Sequence, residues 1–159
     1  GLGDVYKRQA MLSLLVCLMF TGCSNSETNS TSRGLTDFAH IEEEYLATID
    51  SLNWPDGIAL PDKLEDEDTG ASFQVGYGET RASYLWEYSW MKEWLDTYNT
   101  DPERAEKALE ELEKAFDMPY MGIDRCDDAT RNYLRENIDK AKLGDPSGFT
   151  ESIRANYAN

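Results

Sequence analysis

Apolar residues recur at spacings of three and four from residue 37 onward, the signature of amphipathic helices. Phe38, Ile41, Tyr45, Ile49 and Leu52 share one face and predict a helix from Asp37 to Leu52, with Thr36 as its N-cap. Trp54-Pro55-Asp56-Gly57 supplies the turn residues that end it. Residues 58–78 break the pattern. They hold Pro61, the acidic cluster Glu65-Asp66-Glu67-Asp68 and one short alternation, Phe73, Val75 and Tyr77, which reads as a strand without an obvious partner. Gly76 and Gly78 permit a tight turn into the next helix.

Residues 79–98 carry two apolar stripes. Tyr84, Tyr88, Met91, Leu95 and Tyr98 form one, and Trp86, Trp90 and Trp94 form the other. On a helical wheel they merge into an arc of roughly 200°, which places this helix centrally in a bundle. Arg81, Ser89, Lys92, Glu93 and Asp96 are expected to cover the remaining face.

Asp101-Pro102 is a start signal for a third helix, with Ala105, Ala108, Leu109, Leu112 and Phe116 inward and Pro119 as its stop. Glu103–Lys107 and Glu110–Lys114 are spaced to pair along it. Asp127 or Asp128 opens a fourth helix with Tyr133, Leu134, Ile138 and Ala141 inward, and Gly144 fits its C′ position. Asp145-Pro146 repeats the start signal, and Phe149, Ile153 and Tyr157 mark a short last helix. The expected fold is all-α: a small bundle of four or five helices with an irregular acidic loop after the first helix.

The N-terminal segment has a different character. GLGDVYKRQ, residues 1–9, resembles the in-frame translation of a transposase-type sequencing adapter and is set aside from fold reasoning. Residues 10–20 are nearly all apolar, too short to cross a bilayer but suited to a signal-peptide core. Phe20-Thr21-Gly22-Cys23 follows and resembles the lipobox of bacterial lipoproteins, with Phe20 where that family mostly has an aliphatic residue. The resemblance implies that residues 10–22 are a truncated signal peptide and that Cys23 is lipidated as the mature N-terminus. One acyl chain holds marginally and two or more hold firmly, so the implied location is the extracytoplasmic face of a cell membrane. Ser24 to Gly34 is polar and small, hence residues 23–35 are expected to be a flexible tether. Residues 36–159 then form one acidic domain.

Charge and cysteine count narrow the partners. The chain carries a net charge of −16; removing residues 1–22, with Asp4, Lys7 and Arg8, takes it to −17. Nucleic acid is excluded as a partner because its binding needs basic patches, and cations or basic partners are favoured. Cys17 falls in the signal segment, so with Cys23 lipidated Cys126 is the only remaining thiol and no disulfide forms within the mature chain.

No catalytic motif is complete. Asp68-Thr69-Gly70 is similar to the aspartic-protease triplet but follows an acidic stretch and has no second copy. An EF-hand register with Gly70 at position six places Gly76 where a bidentate Glu is needed. His40 is the single histidine, which excludes a His-rich zinc site, and no cofactor is expected. Asp124, Cys126, Asp127 and Asp128 fit a helix start better than a metal site or a nucleophile. Gly76-Tyr77-Gly78 has a shape that can cradle an anion, but Glu79 opposes it. Trp54, Trp86, Trp90 and Trp94 are candidate ligand-binding residues, with core packing as the competing role.

The layout Trp54-Pro55, Leu60-Pro61, Gly76-Tyr77-Gly78-Glu79, Trp86, Trp90 and Glu93-Trp94-Leu95 also resembles small uncharacterised exported proteins of Gram-positive bacteria. The expected function is a binding or structural role at the cell envelope, without enzymatic activity, toward an envelope protein or glycan. The alternative is a cell-wall glycan hydrolase using a carboxylate such as Glu79, or a glycan- or peptide-binding module built on the Trp-rich helix.

Overall fold

A computed structural model describes residues 34–65 and 67–157; the lipobox, Cys23 and most of the tether lie outside them. Five α-helices dominate: α1 (Phe38–Ser51), α2 (Tyr77–Thr97), α3 (Pro102–Glu113), α4 (Asp128–Lys142) and α5 (Ser147–Asn156). Two single 3₁₀ turns, Lys114–Asp117 and Pro119–Met121, link α3 to the loop before α4. The protein is an all-α small bundle, as the apolar spacing requires. None of the described helices is long and apolar enough to cross a membrane.

The lone alternation at Phe73 does find a partner. Strand β1 (Leu35–Thr36) pairs antiparallel with β2 (Phe73–Gln74), Leu35 opposite Gln74 and Thr36 opposite Phe73, and Val75 N donates to Gly34 O at 3.1 Å. Thr36 is therefore a strand residue, and the α1 cap is Asp37, whose carboxylate accepts from His40 N at 3.1 Å. Asp101-Pro102 and Asp127 act as start signals as expected, whereas α5 begins at Ser147 with Pro146 itself in the cap position and Asp145 one residue further out. Asp101 accepts from Arg104 N with Pro102 as the first helical residue, Asp127 accepts from Thr130 N, and Asp145 accepts from Ser147 N.

Helix α2 is the axis of the molecule, and two apolar clusters form along it. Near its start, Ile41, Tyr45 and Ile49 of α1 pack with Leu64, Phe73 and Ala82. Further along, Trp86, Trp90, Met91 and Trp94 pack with Leu112 of α3, Ile138 of α4 and Phe149 of α5. The polar face of α2 is narrower than expected. Ser83, Ser89 and Thr97 are buried because each hydroxyl donates to the carbonyl four residues earlier, at 2.7–2.8 Å, and so needs no water. Arg81 is also largely enclosed, paired with Glu67.

The entry to α2 explains Gly76-Tyr77-Gly78. Gly76 adopts φ +90°, which favours glycine. Gly78 lies against α1 so closely that a Cβ there would come 1.8 Å from Ile41 O. The exposed N–H groups at the helix start meet an anion from within the chain: Glu44 of α1 accepts from Gly76 N at 2.8 Å and Gly78 N at 3.1 Å. The pairs expected along α3 are not formed. Lys114 reaches Glu111 at 2.6 Å, and Lys107 lies over the Trp90 ring at 5.8 Å.

Candidate functional site

The residues singled out from sequence are engaged in the fold. Trp86, Trp90 and Trp94 are 1–2% exposed, in the core. Trp86 and Trp90 both donate their indole N–H to Asn53 O, at 2.8 and 3.1 Å. Trp94 stacks on Tyr98 at 4.6 Å and meets Phe149 edge-on at 5.4 Å. Trp54 is half-buried and donates to Ile49 O at 2.9 Å, which closes the end of α1. The indole N–H groups of Trp54, Trp86 and Trp90 thus end α1 and hold the chain that follows it, and the Trp94 ring packs between Tyr98 and Phe149.

The acidic residues are similarly occupied. Glu79 forms an ion pair with Arg125 at 2.7 Å. In the Asp68-Thr69-Gly70 triplet, Asp68 accepts from Gly70 N at 2.9 Å through its side chain and from Ala71 N at 3.0 Å through its carbonyl, a surface turn. Glu67 is not a solvated loop residue: it takes hydrogen bonds from Tyr77 and pairs with Arg81. Among the described residues no group of three or more His, Cys, Asp or Glu is placed to hold a metal ion. Cys126 is half-buried with its Sγ 3.5 Å from Met121 Sδ, and burial pushes its thiol above the ordinary range, which opposes a nucleophilic role.

A different carboxylate stands apart. Glu87 occupies the middle of α2, three residues after Tyr84 and four before Met91, so it interrupts the apolar stripe. It is 8% exposed. Tyr120, carried in by the second 3₁₀ turn, donates its hydroxyl to Glu87 Oε2 at 2.7 Å. Among the described residues no hydrogen bond reaches Oε1, and that atom is not sealed from solvent. Burial pushes the carboxyl up to about 7, and the Tyr120 hydrogen bond pulls back only part of that shift. The Tyr120 phenol is raised well above its ordinary value by the same burial and by the neighbouring carboxylate.

Glu87 lines a partly open groove of about 520 Å³ between α2, α4 and α5. Tyr84, Tyr133 and Tyr157 contribute aromatic surface, with Met121 and Leu134 beneath and Thr130, Ser152 and Asn156 as polar neighbours. Tyr133, expected inside the bundle, is 40% exposed and forms part of this wall. Tyr157 is held by its hydroxyl, which donates to Tyr84 O at 3.2 Å, and by ring contact with Tyr88 at 4.7 Å. Glu87 is the one charged side chain among the lining residues.

Such an arrangement has the volume of a small-molecule site, apolar and aromatic walls, and one polar group that fixes orientation. Its signal in the sequence is a carboxylate inside an apolar stripe, Glu87 between Tyr84 and Met91. Comparison of the chain with protein-family models, curated proteins and solved structures finds no match.

Proposed function

We propose that this protein is a lipid-anchored extracytoplasmic binding protein, tethered through Cys23, whose acidic helical body takes a small ligand or a short protruding group in the Glu87 groove. The observation that carries the binding role is the enclosed, ionisable Glu87 at the wall of an open aromatic groove. A carboxylate there costs stability unless something outside the fold makes use of it. The anchor rests on the order of apolar run, Phe20-Thr21-Gly22-Cys23 and polar tail. The net charge keeps the body off anionic lipid and in solvent. A paired-carboxylate hydrolase finds no second carboxylate among the lining residues, and Glu79 is committed to Arg125, so binding is preferred to hydrolysis.

Two experiments test the two halves. Metabolic labelling with radiolabelled fatty acid should mark the wild type and leave Cys23→Ser unmarked; label retained in that variant contradicts the anchor. A fragment screen followed by ¹H–¹⁵N spectra of residues 34–157 should produce shifts that cluster at Tyr84, Glu87, Thr130 and Tyr133. Shifts scattered over the surface, or none from any fragment, would remove the groove from the account.

A further inference from the structure

We infer that the Glu87 groove selects an organic cation, an aliphatic ammonium group seated against the Glu87 carboxylate and flanked by tyrosine faces. This inference rests on the groove being a binding site and adds the chemical class of its ligand. Glu87 is more than nine-tenths buried and keeps Oε1 free of hydrogen bonds among the described residues. Neither lysine nor arginine lines the groove. Arg131, next in the chain to the lining Thr130, is engaged by Met121 O, Cys126 O and the Asp128 carboxylate. The only charge presented is therefore negative, in surroundings that strengthen electrostatic attraction by excluding water. The rings of Tyr84, Tyr133 and Tyr157 line the groove, and aromatic rings carry the quadrupole that attracts ammonium groups. An anionic ligand would meet the carboxylate without any counter-charge, and a neutral one would leave it unpaired. The strongly acidic chain adds a long-range field that concentrates cations near the surface.

Proton linkage follows from the same geometry. From α2 the groove presents Glu87 and Tyr84, from α4 Tyr133, from just after α5 Tyr157, and from the segment before α4 Tyr120 and Cys126 approach Glu87. Apart from Glu87, these are phenols and a thiol, and burial pushes Tyr120 and Cys126 upward, so Glu87 is the group whose charge changes between pH 5.5 and pH 8. An ammonium partner favours the ionised carboxylate and is taken up with release of a proton.

The test is titration of the folded chain with pentylamine, 1-pentanol and pentanoate at pH 8 in high salt, followed by ¹H–¹⁵N spectra. Pentylamine should saturate the groove resonances and bind at least about tenfold more tightly than the alcohol, with no saturation by pentanoate. Its affinity should fall about thirtyfold at pH 5.5, as the ionised fraction of Glu87 falls. Glu87→Gln, which keeps the Tyr120 hydrogen bond, should remove both the preference and the pH dependence. Ala155→Trp, at an exposed lining position, should block binding and leave Glu87 intact, which separates the groove from the acidic surface. Nα-acetyl-lysine methylamide in place of pentylamine distinguishes a peptide-borne ammonium group from a free amine, by which of the two binds more tightly. Groove binding of the alcohol with equal or greater affinity than the amine overturns the cation assignment and leaves the binding site standing. If neither these probes nor any fragment shifts the groove, both readings are overturned.

Discussion

The start and the middle of α2 treat carboxylates in opposite ways. Around its start, each enclosed carboxylate meets a donor that it holds in place. Glu42 accepts from Leu64 N at 3.2 Å, Glu44 caps the helix through Gly76 and Gly78, Glu67 pairs with Arg81, and Glu79 pairs with Arg125. About two turns past Glu79, Glu87 has a phenol for company and no cation. Charge near the start of α2 joins α1 and the acidic loop to the bundle, whereas charge at its middle leaves Glu87 titrating near neutrality. In so acidic a chain, the informative carboxylate is the one the fold leaves without a counter-charge.

The most direct way to break the first region is Gly78→Ala. Its Cβ would meet the α1 backbone at 1.8 Å, and a main-chain carbonyl cannot swing aside. The helices must separate, at a cost of about 3 kcal/mol or more that outweighs the better helix propensity of alanine. Denaturant unfolding should show that loss, or no folded protein.

Glu87→Gln sharpens the contrast because it acts in the opposite direction. The folded value of about 7 lies above the ordinary 4.5, so the folded chain keeps a proton that the unfolded chain gives up. Stability is therefore full below pH 4.5 and falls as pH rises through about 7. The substitution should remove this slope and raise stability at pH 8 by up to about 3 kcal/mol. Urea unfolding at pH 5 and pH 8 reads both effects.

Glu44→Ala should cost about 2 kcal/mol, because two N–H groups at the start of α2 lose their acceptor. Hydrogen exchange at Gly76 and Gly78 should quicken more than exchange at Trp90. Lys92→Ala provides the lower bound. Its pair with Asp96 is half-exposed on both sides, and thermal unfolding should place its effect within about 0.5 kcal/mol.

The helices were legible because their information is local. The three-and-four spacing, Asp101-Pro102, Asp127 and Gly144 each act within a turn of where they stand. What escaped depends on contacts far apart along the chain. The β1–β2 pairing joins Thr36 to Phe73, Glu44 caps a helix that begins after the loop, and Gly78 is required by α1 rather than by its own turn. Thr36 fitted an N-cap only while its strand partner was unseen. The candidate site was half legible. Glu87 stands in an apolar stripe, but its hydrogen-bond partner is Tyr120, 33 residues later, and part of its groove is Tyr157, just past the last helix. The tryptophans fitted both roles open to them, and the carbonyls of Ile49 and Asn53 that take up three of their indoles cannot be read from periodicity.

The central claim is that Glu87 carries an ionisable charge that the fold itself leaves uncompensated. A ¹³C titration of its side-chain carboxyl, assigned by comparison with Glu87→Gln, tests this directly. A midpoint near 7 is the predicted result; a midpoint at or below 4.5 would mean that the carboxylate is solvated or paired, and would contradict the account.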